Sequence, residues 1–431
     1  MNSIFLALEQ LRTQLSQALP AAPGIRHFDV TFPLNDAFDP LAWLGEQQCY
    51  PQFYWQQRNG DEELAALGAV TQFSSLALAS QFLRAQNAAS DTRICGLNAF
   101  NPEQGSLFLP RLLWRRTAGN ATLRLQLWSD RSLVEDARVA QDFLQRLRPA
   151  KSIRPLSVQV EHETHQPQQA DWLKLIRRAT ETIARGDFEK VVLARATDLQ
   201  FTQRVNPVAL MAASRALNLH CYHFCMVFDA RNAFLGSTPE RLWRRRGKLL
   251  RTEALAGTVA SHTDDSQAQR LGEWLLNDDK NQRENMLVVE DICQRLQHST
   301  QTLEVLPPQV VRLRKVQHLR RCIWTELKQA DDEQCLLMLQ PTAAVAGLPR
   351  QPAREFIQKV EPFNREWYAG SAGYLSPEQS EFCVALRSAR VQEDSLRLYA
   401  GAGIVSGSDP EQEWQEIENK AAGLRSLLLR D

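Results

Sequence analysis

The chain has 431 residues, 44% of them hydrophobic and 23% charged, and its 50 basic side chains balance 50 acidic ones. That length allows about three domains at roughly 150 residues each, or one large α+β unit, and the composition excludes a disordered chain. Zero net charge removes bulk electrostatics as a reason to expect a nucleic-acid partner, and no apolar run reaches the roughly 18 residues that cross a bilayer.

In chain order, the first segment predicts an amphipathic helix. Ile4, Leu6, Leu8 and Leu11 are followed by Leu15 and Leu19, and Pro20 and Pro23 stop it. It lacks a basic flank and an A-x-A site, so it is not read as a signal peptide, and the expected compartment is the cytoplasm. A strand is predicted over 26–33. PQFYWQQ and ELAALGAV then form a hairpin around Arg58-Asn59-Gly60-Asp61, where Asn-Gly suits a turn needing positive φ. Further strands are expected at RICGLNAF, SLFLPRLLWRR and TLRLQLWS. The polar, proline-marked stretch 148–169 reads as a linker. Its HETH at His162–His165 lacks the HExxH zinc spacing and reads as solvated chain. This linker divides the sequence into 1–165, strand-rich, and 166–431.

Beyond it, Trp172–Arg185 reads as a helix ended by Gly186. Phe188–Phe201 reads as a strand with Phe188, Lys190 and Val192 on one face. Pro207–Leu217 reads as a helix, and HCYHFCMVF as a buried strand in preference to a zinc site at Cys221 and Cys225. Two further strands, AFLGST and the stretch ahead of Arg251, a long polar helical region over 266–298 and a final helix over about 410–429 complete the pattern. Eight cysteines with no CxxC pair do not make a disulfide framework. Strands with hairpin signals, instead of strict strand–helix alternation, predict an α+β fold.

Several residues could carry chemistry. Glu413, Glu416 and Lys420 share one face of the final helix. Clustered carboxylates suit a hard cation such as Mg²⁺, but the same spacing also fits a surface helix with a Glu416–Lys420 pair. Glu284 follows Lys280 at i,i+4 and reads alone as a solvated helix charge. Glu240, in LGSTPERLW, emerges at a strand end, where burial would suit a general acid, or a helix start would suit its charge. Lys190 sits mid-strand. Burial disfavours a charged amine and makes a lysine a usable base, while an edge-strand lysine guards against aggregation. The glycines of TEALAGT and of Gly401, Gly403 and Gly407 allow close backbone approach to an anion. Gly401–Gly407 falls one residue outside the dinucleotide fingerprint. Arg387, in FCVALRSAR, offers a bidentate fork to a carboxylate.

Taken together, FEKVVLAR, FLGSTPERL, RTEALAGT, DDKNQRENMLVVED, VRLRKVQHL, LQPTAAVAGLPR, WYAGSAGY, FCVALRSAR and YAGAGIVSGSDPEQEWQEIENKA resemble the chorismate-utilising enzymes. These include anthranilate, aminodeoxychorismate, salicylate and isochorismate synthases. The pieces run in the family's order over about 170–425, and the PQFYW hairpin extends the resemblance into 1–165 as part of the same folded unit. The likeness is strongest to the isochorismate synthases of menaquinone biosynthesis.

The resemblance implies two large, orthogonally packed antiparallel sheets surrounded by helices. It implies Mg²⁺ held by Glu284 and Glu416, with Glu413 near the metal through water. Relatives often carry another acid where this chain has Asn281, which would make the outer metal shell less acidic. Gly257, Thr258, Thr342, Tyr368, Arg387, Gly401 and Lys420 would surround the substrate, with His318 nearby. The substrate would be chorismate, a dianion. Lys190 would activate a water that adds at C2, and Glu240 would protonate the hydroxyl leaving C4. Ala256 stands where aminodeoxychorismate synthases place a nucleophilic lysine, and Lys190 is a residue that ammonia users tend to lack. Both favour a water-adding enzyme, isochorismate or salicylate synthase, with no glutamine amidotransferase partner. A catalytically inactive chorismate-binding subunit is the reading from a different class.

Overall fold

The computed structural model describes residues 3–34 and 38–428. Every strand pairing among them is antiparallel. One arm of the sheet runs Gly24–Pro33, Asn120–Ser129, Gly105–Thr117, Glu62–Phe73, Gln52–Gln56, Tyr222–Val227, Asn232–Thr238, Ser388–Gln392, Ser395–Ile404, Lys190–Phe201 and Val160–Gln166. A second arm leaves the first half of Gly105–Thr117 and runs Ile94–Asn98, Ser371–Leu375, Gln379–Val384, Arg241–Arg246, Leu249–Ala260 and Val316–Leu327. The two expected sheets are therefore arms of one hydrogen-bonded ladder that diverge at Gly105–Thr117. Sequence-distant strands interleave: Phe53 lies opposite Met226, and Gly96 opposite Gly373.

The inner faces of the two arms enclose the largest core cluster. Trp55, Ile94, Phe108, Phe224, Trp243 and Phe382 are among its fully buried members. Helices Ser3–Leu15, Pro40–Glu46, Leu133–Gln145 and Pro207–Leu217 cover the outside of the first arm. Gln169–Ala184, Arg350–Val360 and Pro410–Leu428 cover its far end over Lys190–Phe201. Local chemistry sets the ends of these elements. Asn206 accepts from Val208 N and Ala209 N with Pro207 at the first turn, and Gly186 turns the chain with φ +84°.

Four readings are corrected. The linker's second half, Val160–Gln166, is an edge strand on Lys190–Phe201, where His165 Nδ1 meets Thr197 Oγ1 at 3.0 Å. An edge strand exposes polar side chains, so its composition imitates a linker. Phe188 precedes its strand and packs with Val191 and Leu193, away from Lys190 and Val192. The long polar helix is two, Asp265–Asn277 and Asp279–Leu296, because Asp278 ends the first and caps the second. The N-terminal helix stops at Leu15, short of the prolines. The predicted last residue of the final helix, Leu429, lies outside the described residues.

Candidate active site

A half-open cavity of about 600 Å³, counting the space that opens to solvent, lies where the two arms meet the final helix. Glu240, Gly257, Thr258, Glu284, His318, Tyr368, Arg387, Gly401 and Lys420 line it, together with Gly403, Val192, Ala256 and Tyr399. Residues from nine separate stretches of sequence thus converge on one space.

The second arm supplies the turn of Glu240 and a bulge. The register of Leu249–Ala260 against Val316–Leu327 shifts between Leu255 and Thr258, and Gly257 has φ +90°. A bulge re-aims backbone at an active site. Here it turns Ala256, Gly257 and Thr258 into the cavity. Asn281 holds it there, its Oδ1 accepting from Thr258 N at 3.0 Å. The position that relatives often fill with an acid therefore serves the loop in this chain. Asn285 anchors the same loop, donating to the carbonyls of Ala254, Ala256 and Leu319.

Glu240 is fully buried, and burial, reinforced by the negative charge of Glu253, pushes its carboxyl up to about 8. It is therefore protonated at neutral pH. Arg387 is half-buried, and its backbone sits at φ +47°, a conformation a bulky residue adopts at a cost. Its Nη2 donates to His318 Nε2 at 2.7 Å. Burial, with Arg387 and Lys420 nearby, holds His318 well below its ordinary range, so the ring is neutral. With Nε2 accepting, Nδ1 carries the hydrogen and donates to Thr258 Oγ1 at 3.0 Å. Thr258 and His318 thus orient the guanidinium. Among the described residues no carboxylate lies within ion-pair distance of Arg387. A half-buried, unpaired guanidinium lining a cavity is a place for an anion. Tyr368 stacks on Tyr399 at 5.0 Å between ring centres, forming an adjoining wall.

Four predicted residues stand behind the cavity wall. Thr342 is buried and its groups serve a turn: its carbonyl accepts from Val345 N and Ala346 N, and its hydroxyl from Ala344 N. It shapes the wall formed by Ala344 and Val345. Lys190 is fully buried, with Nζ 3.1 Å from Glu284 Oε1 and no hydrogen-bond partner of good geometry among the described residues. Glu413 is buried and pairs with Lys280 at 3.1 Å; Glu416 pairs with Lys420 at 2.5 Å, and Lys420 Nζ also donates to Gly401 O. The sequence pairing of Lys280 with Glu284 is thus replaced by pairing across helices. Each of the three carboxylates faces its own lysine.

The donor chemistry fits a hard divalent cation. Burial, with Glu416 and Glu284 nearby, pushes the Glu413 carboxyl up to about 7, a sign of crowded negative charge that a cation would relieve. The side chains hold the lysine-paired arrangement, and among the described residues no three His, Cys, Asp or Glu side chains converge as ligands. Gly403 supports the same cluster: a Cβ there would collide with Glu284 Oε1 and lie 3.0 Å from Lys190 Cε. The sequence offers Gly403 for close backbone approach to an anion and within a near-miss nucleotide fingerprint, not as room for Glu284. Its signal was the spacing of two from Gly401 on a strand, which puts both on one face.

This fold and site define a class, and comparison with known proteins agrees. The chain belongs to the chorismate binding enzyme family, which it matches over residues 21–429. It is 67% identical to isochorismate synthase MenF of Escherichia coli (strain K12) over 99% of both chains. The solved structure of MenF, the menaquinone-specific isochorismate synthase from Escherichia coli, superposes with a TM-score of 0.97 over 99% of this chain and 100% of that one. The anthranilate synthase component I of Streptococcus pneumoniae shares the fold at 19% identity, with a TM-score of 0.66 over 95% of this chain and 93% of that one. No helix among the described residues is long and apolar enough to cross a membrane.

Proposed function

We infer that this chain is an isochorismate synthase whose product serves menaquinone biosynthesis. The observation that carries the mechanism is the buried, proton-bearing Glu240 facing the same cavity as the unpaired Arg387. A dianion such as chorismate would place one carboxylate on Arg387, beside Tyr368. Fixing the ring between these groups removes the orientational cost of reaction.

The reaction exchanges one hydroxyl for another. A water oxygen bonds to C2, and Lys190 takes the water's proton. The ring's C1–C2 π pair moves to C1–C6, and its C5–C6 pair to C4–C5. The C4–O bond breaks, and Glu240 gives its proton to the departing hydroxide, which leaves as water. Lys190 gains the proton that Glu240 loses, so the reverse reaction exchanges their roles. Substrate and product are allylic alcohols of similar energy, and the reaction is reversible.

Glu284 and Glu416, with Glu413 beside them, would hold Mg²⁺. When bound, the ion would neutralise and orient the second carboxylate. Lys190 now pairs with Glu284, so engagement of that carboxylate elsewhere would free the amine. Water is the nucleophile, and no amidotransferase subunit is needed to deliver ammonia. The cytoplasmic location expected from the sequence belongs to this reading and is tested by cell fractionation. The chemistry is tested in oxygen-18 water with wild type, Lys190→Ala and Glu240→Gln. Wild type should place one label at C2 of isochorismate, and both variants should be inactive while folded. Full turnover in either variant would overturn the assigned roles.

A further inference from the structure

The N-terminal hairpin reaches the acid. Arg58, in the turn after Gln52–Gln56, donates from Nη1 to Pro239 O at 2.7 Å and to Glu253 Oε1 at 2.5 Å, while Nη2 donates to Glu253 Oε2 at 2.8 Å. Glu253 Oε1 in turn accepts from Arg241 N at 2.8 Å. Pro239 O belongs to the peptide before Glu240, and Arg241 N to the peptide after it. The remaining backbone groups of Glu240 are also held: its N–H donates to Thr238 Oγ1 at 3.3 Å, and its carbonyl accepts from Val384 N at 3.0 Å. The ion pair is buried, with side-chain exposure of 8% for Arg58 and none for Glu253.

We propose that Arg58 and Glu253 are a positioning pair for Glu240: they clamp the peptides on either side of it, and the charge of Glu253 sets how readily it gives up its proton. The groups that act on Glu240 come from every surrounding element. Lys190 approaches from its strand, Arg387 from the loop after Val384, Lys420 from the final helix and Tyr368 from the opposite wall. All three cations favour the ionised carboxylate, and Glu253 is the negative charge that opposes them. Arg58 holds Glu253 ionised, its carboxyl kept below the ordinary range despite burial. Without Glu253, burial alone would oppose the three cations, and the acid would give up its proton more readily. Residues 1–165 would then contribute to the chemistry as well as to the fold.

This inference rests on Glu240 being the general acid. An acid that must carry its proton produces the alkaline limb of the kcat/KM profile. Glu253→Gln is expected to move that limb down by roughly one pH unit, and Arg58→Gln to move it up. A purely structural ion pair would give the same effect from either side. The double variant Arg58→Met/Glu253→Gln leaves neither charge unpaired, should fold where a single variant does not, and should also move the limb down. Glu253→Asp and Arg58→Lys should leave it in place. Infrared difference spectra against Glu240→Gln follow the Glu240 carboxyl without turnover. A kinetic limb that ignores the ion pair while the carboxyl band follows it would refute Glu240 as the acid. A carboxyl band that stays in place in the folded double variant would overturn the proposal itself.

Discussion

Glu240→Gln should abolish turnover and, at neutral and alkaline pH, stabilise the fold. Glutamine keeps the shape of the protonated acid but has no proton to lose. In the wild type the carboxyl titrates at about 8 when folded, against an ordinary value of 4.5. Below 4.5 both states are protonated and the group is neutral toward stability. Between 4.5 and about 8 the folded state keeps a proton that the unfolded chain releases, so stability falls as pH rises. Above about 8 the full cost is present. At about 1.36 kcal/mol per unit, that cost is of order 3 kcal/mol at pH 7 and of order 5 kcal/mol above pH 8. Urea unfolding of both proteins from about pH 5 to pH 9 isolates it, because the exchange of one polar group for another contributes a constant offset. The stability difference in favour of the variant should widen over this range by several kcal/mol. A difference that stays flat would refute the buried, protonated state of Glu240.

Other consequences follow from single contacts. Gly403→Ala should push the Glu284 carboxylate aside and weaken Mg²⁺ binding roughly 10- to 100-fold, as measured by calorimetry. Unchanged affinity would count against Glu284 as a ligand. His318→Leu removes the acceptor that orients Arg387 and should raise KM about tenfold with a smaller effect on kcat. A loss confined to kcat would instead assign His318 to the chemical step. Asn285→Ala leaves the carbonyls of Ala254 and Ala256, and that of Leu319 on the neighbouring strand, without this donor and should cost about 2–3 kcal/mol in denaturant unfolding. A loss within error of zero would show that the loop finds other donors.

Elements with a local cause were legible in the sequence. Pro207–Leu217 announces itself by its Asn cap and first-turn proline, and the Gln52–Phe73 hairpin by Asn-Gly. Helices Leu76–Ala85 and Leu133–Gln145 are not predicted from the sequence. They lie between strands in a region whose alternating segments dominated the pattern, and their faces are fixed by packing on the first arm. Val160–Gln166 was hidden because an edge strand exposes polar side chains like a linker. At the site, residue types suggested Glu240, Lys190 and Arg387, and the resemblance supplied their roles. Spacing could not show the partners. Lys280 lies four residues from Glu284 yet bonds Glu413, because two helices face each other there. Thr342 carries the right chemistry but spends it on its own turn. Arg58 stands 182 residues from Glu240, and only strand pairing between Gln52–Gln56 and Tyr222–Val227 brings its turn to the acid.

The most direct test of the account incubates the purified protein with chorismate, in Mg²⁺ or in excess EDTA, and separates the products by liquid chromatography. The account predicts isochorismate with Mg²⁺ and none with EDTA. Salicylate with pyruvate, an aminated product that requires ammonia, or no product in either condition would contradict it.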